Sequence, residues 1–146
     1  MGTITPLDAF SEVLDNQRNR EMREAIKRGA EFLLMHRLYR SDHHDFKIID
    51  QRWLKVCFPQ FFYDILRGID VITKLGYISD HRIDEALEAI LSKQNDSGQW
   101  YMECSYSGRI HGTVESKDRP SKWLTLQVLR VLKRIIQARG NLELID

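Results

Sequence analysis

Cysteine, proline and long apolar runs are all scarce in this chain. Its 146 residues include two cysteines and three prolines, and no stretch approaches the ~18 apolar residues of a membrane-spanning helix. Two cysteines, Cys57 and Cys104, are too few for a disulfide framework, so a reducing cytosol is the simplest setting. An excess of either charge is missing too, with 22 Lys plus Arg against 21 Asp plus Glu and a net charge of +1. That balance gives no general electrostatic reason to expect nucleic acid or an anionic membrane as partner. The opening Met1-Gly2-Thr3-Ile4-Thr5-Pro6 lacks the basic start and apolar stretch of a secretory signal. The expectation is a soluble, cytoplasmic protein with no nucleic-acid partner and no membrane span.

What is present is helical periodicity. An apolar fraction of 42% and a charged fraction of 29% suit one globular domain over 1–146 with a core of its own. The three prolines each stand at or just before an apolar stretch with helical spacing, where the missing N–H costs nothing. A first helix is expected over about 6–15, with Thr5 as N-cap and Ala9, Phe10, Val13 and Leu14 as its stripe. A second covers about 20–39, with Met22, Ile26, Ala30, Phe32, Leu33 and His36 along one side. A third opens at Pro59, carries Phe62, Ile65, Leu66, Ile69 and Ile72, and stops at Gly76. Asp80 caps a fourth with Ile83, Ala86, Leu87 and Ile90 on its face. A fifth begins near Pro120-Ser121, presents Leu124, Val128, Leu129, Leu132, Ile135 and Ile136, and ends at Arg139-Gly140. The short 76–80 link predicts an antiparallel hairpin of helices three and four. No comparably long segment alternates as a half-buried strand would. The fold class expected is all-α, built from antiparallel helical hairpins. Two long connections, about 40–58 and 94–119, hold most of the aromatic, His and charged residues.

One of these connections carries a motif. Ile90-Leu91-Ser92-Lys93-Gln94-Asn95-Asp96-Ser97-Gly98-Gln99-Trp100 reads as an aliphatic residue, then Gln, then Gly-x-Trp. It resembles the QW motif of the terpenoid cyclases and the protein prenyltransferases that share their fold. A glutamine has both a donor and an acceptor, so Gln94 suits two helix ends at once. Gly98 permits the tight turn and Trp100 seals the amide from water. Arg28-Gly29-Ala30-Glu31-Phe32 resembles half of the same motif, with His36 in the capping place of the glutamine. Phe58-Pro59, Tyr63-Asp64-Ile65-Leu66-Arg67-Gly68 and Arg119-Pro120-Ser121-Lys122-Trp123-Leu124-Thr125-Leu126 extend the likeness. Over about 25–134 the chain is similar to bacterial squalene-cyclase-like proteins of unassigned activity. The resemblance implies an α/α toroid, with helices two and four outer and three and five inner. A full toroid has six hairpins and this chain supplies two or three. The implied object is therefore a partial toroid, a piece of a longer chain or a half that self-associates.

The catalytic signatures of that superfamily are not in the sequence. There is no Asp-x-Asp-Asp for substrate protonation, no Asp-Asp-x-x-Asp for magnesium and diphosphate, and no Cys-Gly-Glu-Gln thioester. Glu103, Cys104 and His111 imitate a zinc set, but adjacent Glu103 and Cys104 are poorly spaced to face one ion. Asp42, His43, His44 and Asp45 offer metal-donor chemistry and also read as a solvated loop, the favoured reading. His81, beside the Asp80 cap, is expected at the surface. No cofactor and no metal are expected.

Candidate ligand-cavity residues are Trp53, Phe58, Phe61, Tyr63, Asp64 and Arg67. The aromatics suit an apolar or isoprenoid small molecule, although Phe62 continues the stripe of Ile65 and Ile69 and fits core packing better. Tyr63, Asp64, Arg67 and Asp70 form a polar side that either meets a ligand or is solvated with an Asp70–Lys74 pair. Arg109, His111, Arg119 and Lys122 form a candidate anion site at the start of helix five. The functional expectation is a helical module that binds an apolar ligand or a partner. An enzyme on a prenyl substrate, completed by other residues or a second chain, and a structural interaction module are the alternatives.

Overall fold

A computed structural model of the chain describes residues 2–43, 45–104, 111, 112 and 114–142. The described residues are mostly helical: α1 Ile4–Ser11, α2 Arg20–Met35, α3 Ile65–Lys74, α4 Asp84–Leu91 and α5 Lys122–Leu142. One small antiparallel sheet pairs β1, Trp100–Tyr101, with β2, Pro120–Ser121. Three short 3-10 turns, Asp15–Gln17, Gln51–Leu54 and His81–Ile83, punctuate the links.

α3 is the hub. It packs against α1, α4 and α5, and Ile65, Leu66, Gly68, Ile69, Val71, Ile72 and Thr73 are all buried. Its apolar residues cover most of the circumference, so several neighbours are needed to enclose it, while Arg67, Asp70 and Lys74 share the remaining side. Each of its neighbours turns one face to it. Leu7 of α1 sits so close to α2 that a Cβ on Gly29 would lie 3.0 Å from it. α5 contributes Leu124, Val128, Val131 and Ile135, and α4 contributes Ala86 and Ile90.

Several boundaries differ from those expected of the sequence. α3 begins at Ile65, not Pro59, because Asp64 supplies the N-cap by accepting from Arg67 N at 2.8 Å. The residues before it, with a cis Phe58-Pro59 bond, form an irregular link. Phe62 accordingly lies outside the core stripe and is 50% exposed. α2 stops at Met35 with His36 as C-cap. α1 starts at Ile4, and its N-cap position is Thr3, without a side-chain bond.

The cysteines also depart from expectation. Cys57 and Cys104 are joined as a disulfide, with Cα atoms 5.3 Å apart and a separation of 47 residues in sequence. Spacing along the chain concealed this, because the pairing is created by a side-by-side run of two loops. Glu103 N donates to Val56 O at 3.1 Å. The Glu103 carboxylate accepts from Val56 N at 2.8 Å.

Candidate functional site

The ends of three helices show how the candidate site arises. α3 finishes in a Schellman turn: Gly76, at φ +96°, donates to Thr73 O at 3.2 Å, and Tyr77 N donates to Ile72 O at 3.2 Å. Glycine takes that left-handed conformation without penalty. α4 ends differently. The Trp100 indole, fully buried, donates from Nε1 to Ile90 O at 2.7 Å. Gln94 and Trp100 pair across a tight loop. Within it Asn95 Oδ1 accepts from Ser97 N at 3.0 Å and Gln99 N at 2.8 Å. Gly98, at φ +76°, takes the left-handed position. The helix-end carbonyl expected to bond the Gln94 amide is held by the tryptophan, while Gln94 itself is exposed.

α2 ends with the same bonds as α3 but without glycine. Arg37 N donates to Leu34 O at 2.8 Å and Leu38 N to Leu33 O at 2.9 Å, with φ of 44° at Arg37 and 69° at Leu38. Asp45 and Phe46 follow at φ 57° and 54°. Left-handed L-residues cost about 1–2 kcal/mol each, and such strain persists only where surroundings enforce it. Here the enforcement is visible. The buried Tyr63 hydroxyl donates to Leu38 O. Glu85 gathers Tyr39 at 2.9 Å, Arg37 at 3.6 Å, and Arg40. Burial opposes ionisation of Glu85, but the hydrogen bonds from Arg40 and Tyr39 outweigh it and hold its carboxyl below the usual range.

Beneath this turn lies a half-enclosed cavity of about 150 Å³. Ile4 of α1, with Phe32 and Leu33 of α2, forms one wall. Leu38, Ile49, Trp53 and Tyr63 form the other. Trp53 and Tyr63 meet edge to face, with centroids 5.0 Å apart. Thr3 and His36 complete the lining. His36 turns Nδ1 to Phe32 O at 2.8 Å and Nε2 to Asp42 Oδ1 at 3.2 Å. His43 Nε2 lies 3.5 Å from the other Asp42 oxygen.

Of the cavity candidates named from sequence, Trp53 and Tyr63 line this space and the others do not. Phe58 stacks on Trp123 with centroids 5.4 Å apart, and Phe61 is 56% exposed. Asp64 is buried at the α3 start, where burial pushes its carboxyl up to about 7 despite backbone bonds from Arg67 and Cys57. Burial likewise raises the Tyr63 hydroxyl far above its ordinary range, so it stays a donor. Arg67 binds Asp8 at 2.8 Å. Asp70 is shared by Arg134 and by Lys74 at 3.2 Å. The polar side of α3 therefore meets α1 and α5, not a lumen, because those helices bring the complementary charges.

The candidate anion and metal residues are also accounted for. Arg109 and His44 lie outside the described residues. His111, Arg119 and Lys122 are exposed. At the α5 start the chain supplies its own anion. Glu115 accepts from Lys122 N at 3.0 Å and from the Ser121 hydroxyl, and Ser121 Oγ accepts from Leu124 N at 3.0 Å. Cys104 is spent in the disulfide and Glu103 binds Lys93 at 2.7 Å, which takes both from the zinc set. Among the described residues no group of three or more His, Cys, Asp or Glu is placed to hold a metal. His81 is at the surface.

The cavity was hidden from sequence reasoning for a physical reason. Phe32, Leu33 and His36 were legible as a helical face, but nothing in Arg37-Leu38 signals a left-handed turn. Comparisons with protein-family models, with curated proteins and with solved structures find no match to this chain.

Proposed function

We propose that this protein binds a small apolar molecule, about one isoprene unit in size, in the cavity under the α2 turn. The observation that carries the reading is that cavity itself: about 150 Å³, lined almost wholly by apolar side chains, and walled by strained backbone. An apolar space of about this volume is large enough for a benzene-sized guest. Five buried carbons at about 0.8 kcal/mol each give roughly 4 kcal/mol, a Kd on the order of 1 mM for the fragment alone. His36 and Asp42 offer a polar edge where the head of a longer ligand would emerge.

The QW-like turn at Gln94, Gly98 and Trp100 supports a helical module of terpenoid-cyclase type, arranged as an arc of hairpins. Ligand binding is favoured over catalysis because Asp8, Asp70 and Glu85 are neutralised by arginines of the fold and Asp64 is buried in a cap. None of them faces the cavity.

The test is titration of the labelled protein with 3-methylbut-2-en-1-ol, followed by NMR. The expected result is saturable shifts at Leu33, Leu38 and Trp53. Uniform small shifts, or shifts unchanged when Leu33→Trp fills the cavity, would overturn the reading.

A further inference from the structure

The solvent side of α5 is a surface that the cavity reading leaves unexplained. The helix carries Lys122, Arg130, Lys133, Arg134 and Arg139 and not one acidic residue. Two of those cations are turned back into the fold, Arg134 onto Asp70 and Arg139 onto Asp84 at 2.6 Å. The other three, Lys122, Arg130 and Lys133, are exposed. Interleaved with them on the same side are Trp123, Leu126, Leu129 and Ile136, at 40%, 39%, 49% and 68% exposure. Opposite, Leu124, Val128, Val131 and Ile135 fix the helix to the core, so this face cannot rotate inward.

The patch continues past the helix. Phe58 stacks on Trp123, and Gln60 reaches Gln127 at 3.5 Å, which seats the 58–62 link beside α5. A net charge of +1 conceals this local excess, because the acids that balance it lie on other elements.

We propose that this face is an interfacial docking surface for an anionic lipid bilayer, with Trp123, Leu126 and Leu129 entering the headgroup boundary. An amphipathic helix lying in the interface combines exposed Trp and Leu with Lys and Arg in this way, and no span is required. Of the described helices none is long and apolar enough to cross a membrane. Charge complementarity selects the occupant. A second copy packed on the same face would set three cations against three cations with no acid on α5 to answer them. An anionic leaflet answers all of them at once. The proposal is independent of the cavity and survives its failure.

The experiment is co-sedimentation of the full chain with phosphatidylcholine vesicles, with and without phosphatidylglycerol, read together with tryptophan emission. The expected result is binding to the phosphatidylglycerol vesicles only, weakened by salt, with a blue shift that Trp123→Phe removes. Trp100 is already fully buried and contributes no shift. Arg130→Glu and Lys133→Glu each weaken binding about fivefold or more, and Leu126→Ser with Leu129→Ser weakens it while leaving the circular dichroism unchanged. These residues are exposed, so the variants fold. Equal binding to neutral vesicles, no binding to either, or charge reversals without effect would each overturn the proposal. So would a concentration-dependent dimer abolished by Leu129→Ser, or capture of an acidic helical peptide in place of vesicles.

Discussion

The C-terminal ends of α2 and α3 make the same two backbone bonds from different residues, and the contrast organises the molecule. At α3 the left-handed position belongs to Gly76, which has open space around its Cβ site, so the turn stands on its own. At α2 the corresponding positions are Arg37 and Leu38, and they hold because Tyr63, Glu85 and the core compel them. The first end is a stop signal and nothing more. The second stores strain, is tied to distant elements, and roofs a cavity. A turn that needs outside support is the one whose geometry a ligand can reinforce.

The largest effect is expected at a third helix end, which serves as the reference. Trp100→Ala removes a fully buried side chain and uncaps Ile90 O, a loss of about 3–5 kcal/mol. Denaturant unfolding measures it, and a loss below about 1 kcal/mol would remove the indole as the α4 lock.

Next comes the start of α3. Because burial raises Asp64 to about 7, the folded state keeps a proton there that the unfolded chain releases near pH 4. This group's contribution is fully present below that point. It is lost as pH rises from about 4 to 7, at up to about 1.4 kcal/mol per unit. Asp64→Asn is expected to flatten that fall. A wild-type curve rising with the same slope as the variant over this window would contradict the assignment.

Tyr63→Phe leaves Leu38 O without its donor in a buried place, at a cost of about 1–3 kcal/mol. Hydrogen exchange at Arg37 and Leu38 is expected to rise with it. Unchanged exchange there would mean the hydroxyl does not hold the turn.

The smallest effects compare the two ends directly. Gly76→Ala forces an L-residue to φ +96° and costs about 1–2 kcal/mol. Arg37→Gly relieves the same strain but gives up a half-exposed pair with Glu85 at 3.6 Å and the guanidinium's contact over the Phe46 ring at 4.4 Å, so stability stays within about 0.5 kcal/mol of the wild type. Equal losses in both variants would break the comparison.

Much of the helical frame was legible because burial repeats at helical spacing. Ile26, Ala30 and Leu33, then Ile65, Ile69 and Ile72, then Leu124, Val128 and Ile135 are core in both sequence and structure, whereas Leu129 and Ile136, expected on the α5 stripe, face solvent because Val128, Val131 and Ile135 set the buried side of that helix. The closed turn from Gln94 to Trp100 was legible too, since Gly98 marks a left-handed position. The start of α3 was misread because Pro59 drew attention from Asp64, which does the capping. The Cys57–Cys104 bond and the cavity were not legible, because both are made by links whose mutual placement depends on α3. The cationic face of α5 was written in the sequence but averaged away in a net charge of +1.

The central claim is that the strained α2 end roofs a site for a small apolar guest. Its most direct test is the NMR titration with 3-methylbut-2-en-1-ol, run on the wild type and on Leu33→Trp side by side. Saturable shifts at Leu33, Leu38 and Trp53 in the wild type, lost in the filled variant, are the predicted result. No saturable shift at the wild-type cavity, or the same shifts at Leu38 and Trp53 in both proteins, would contradict it.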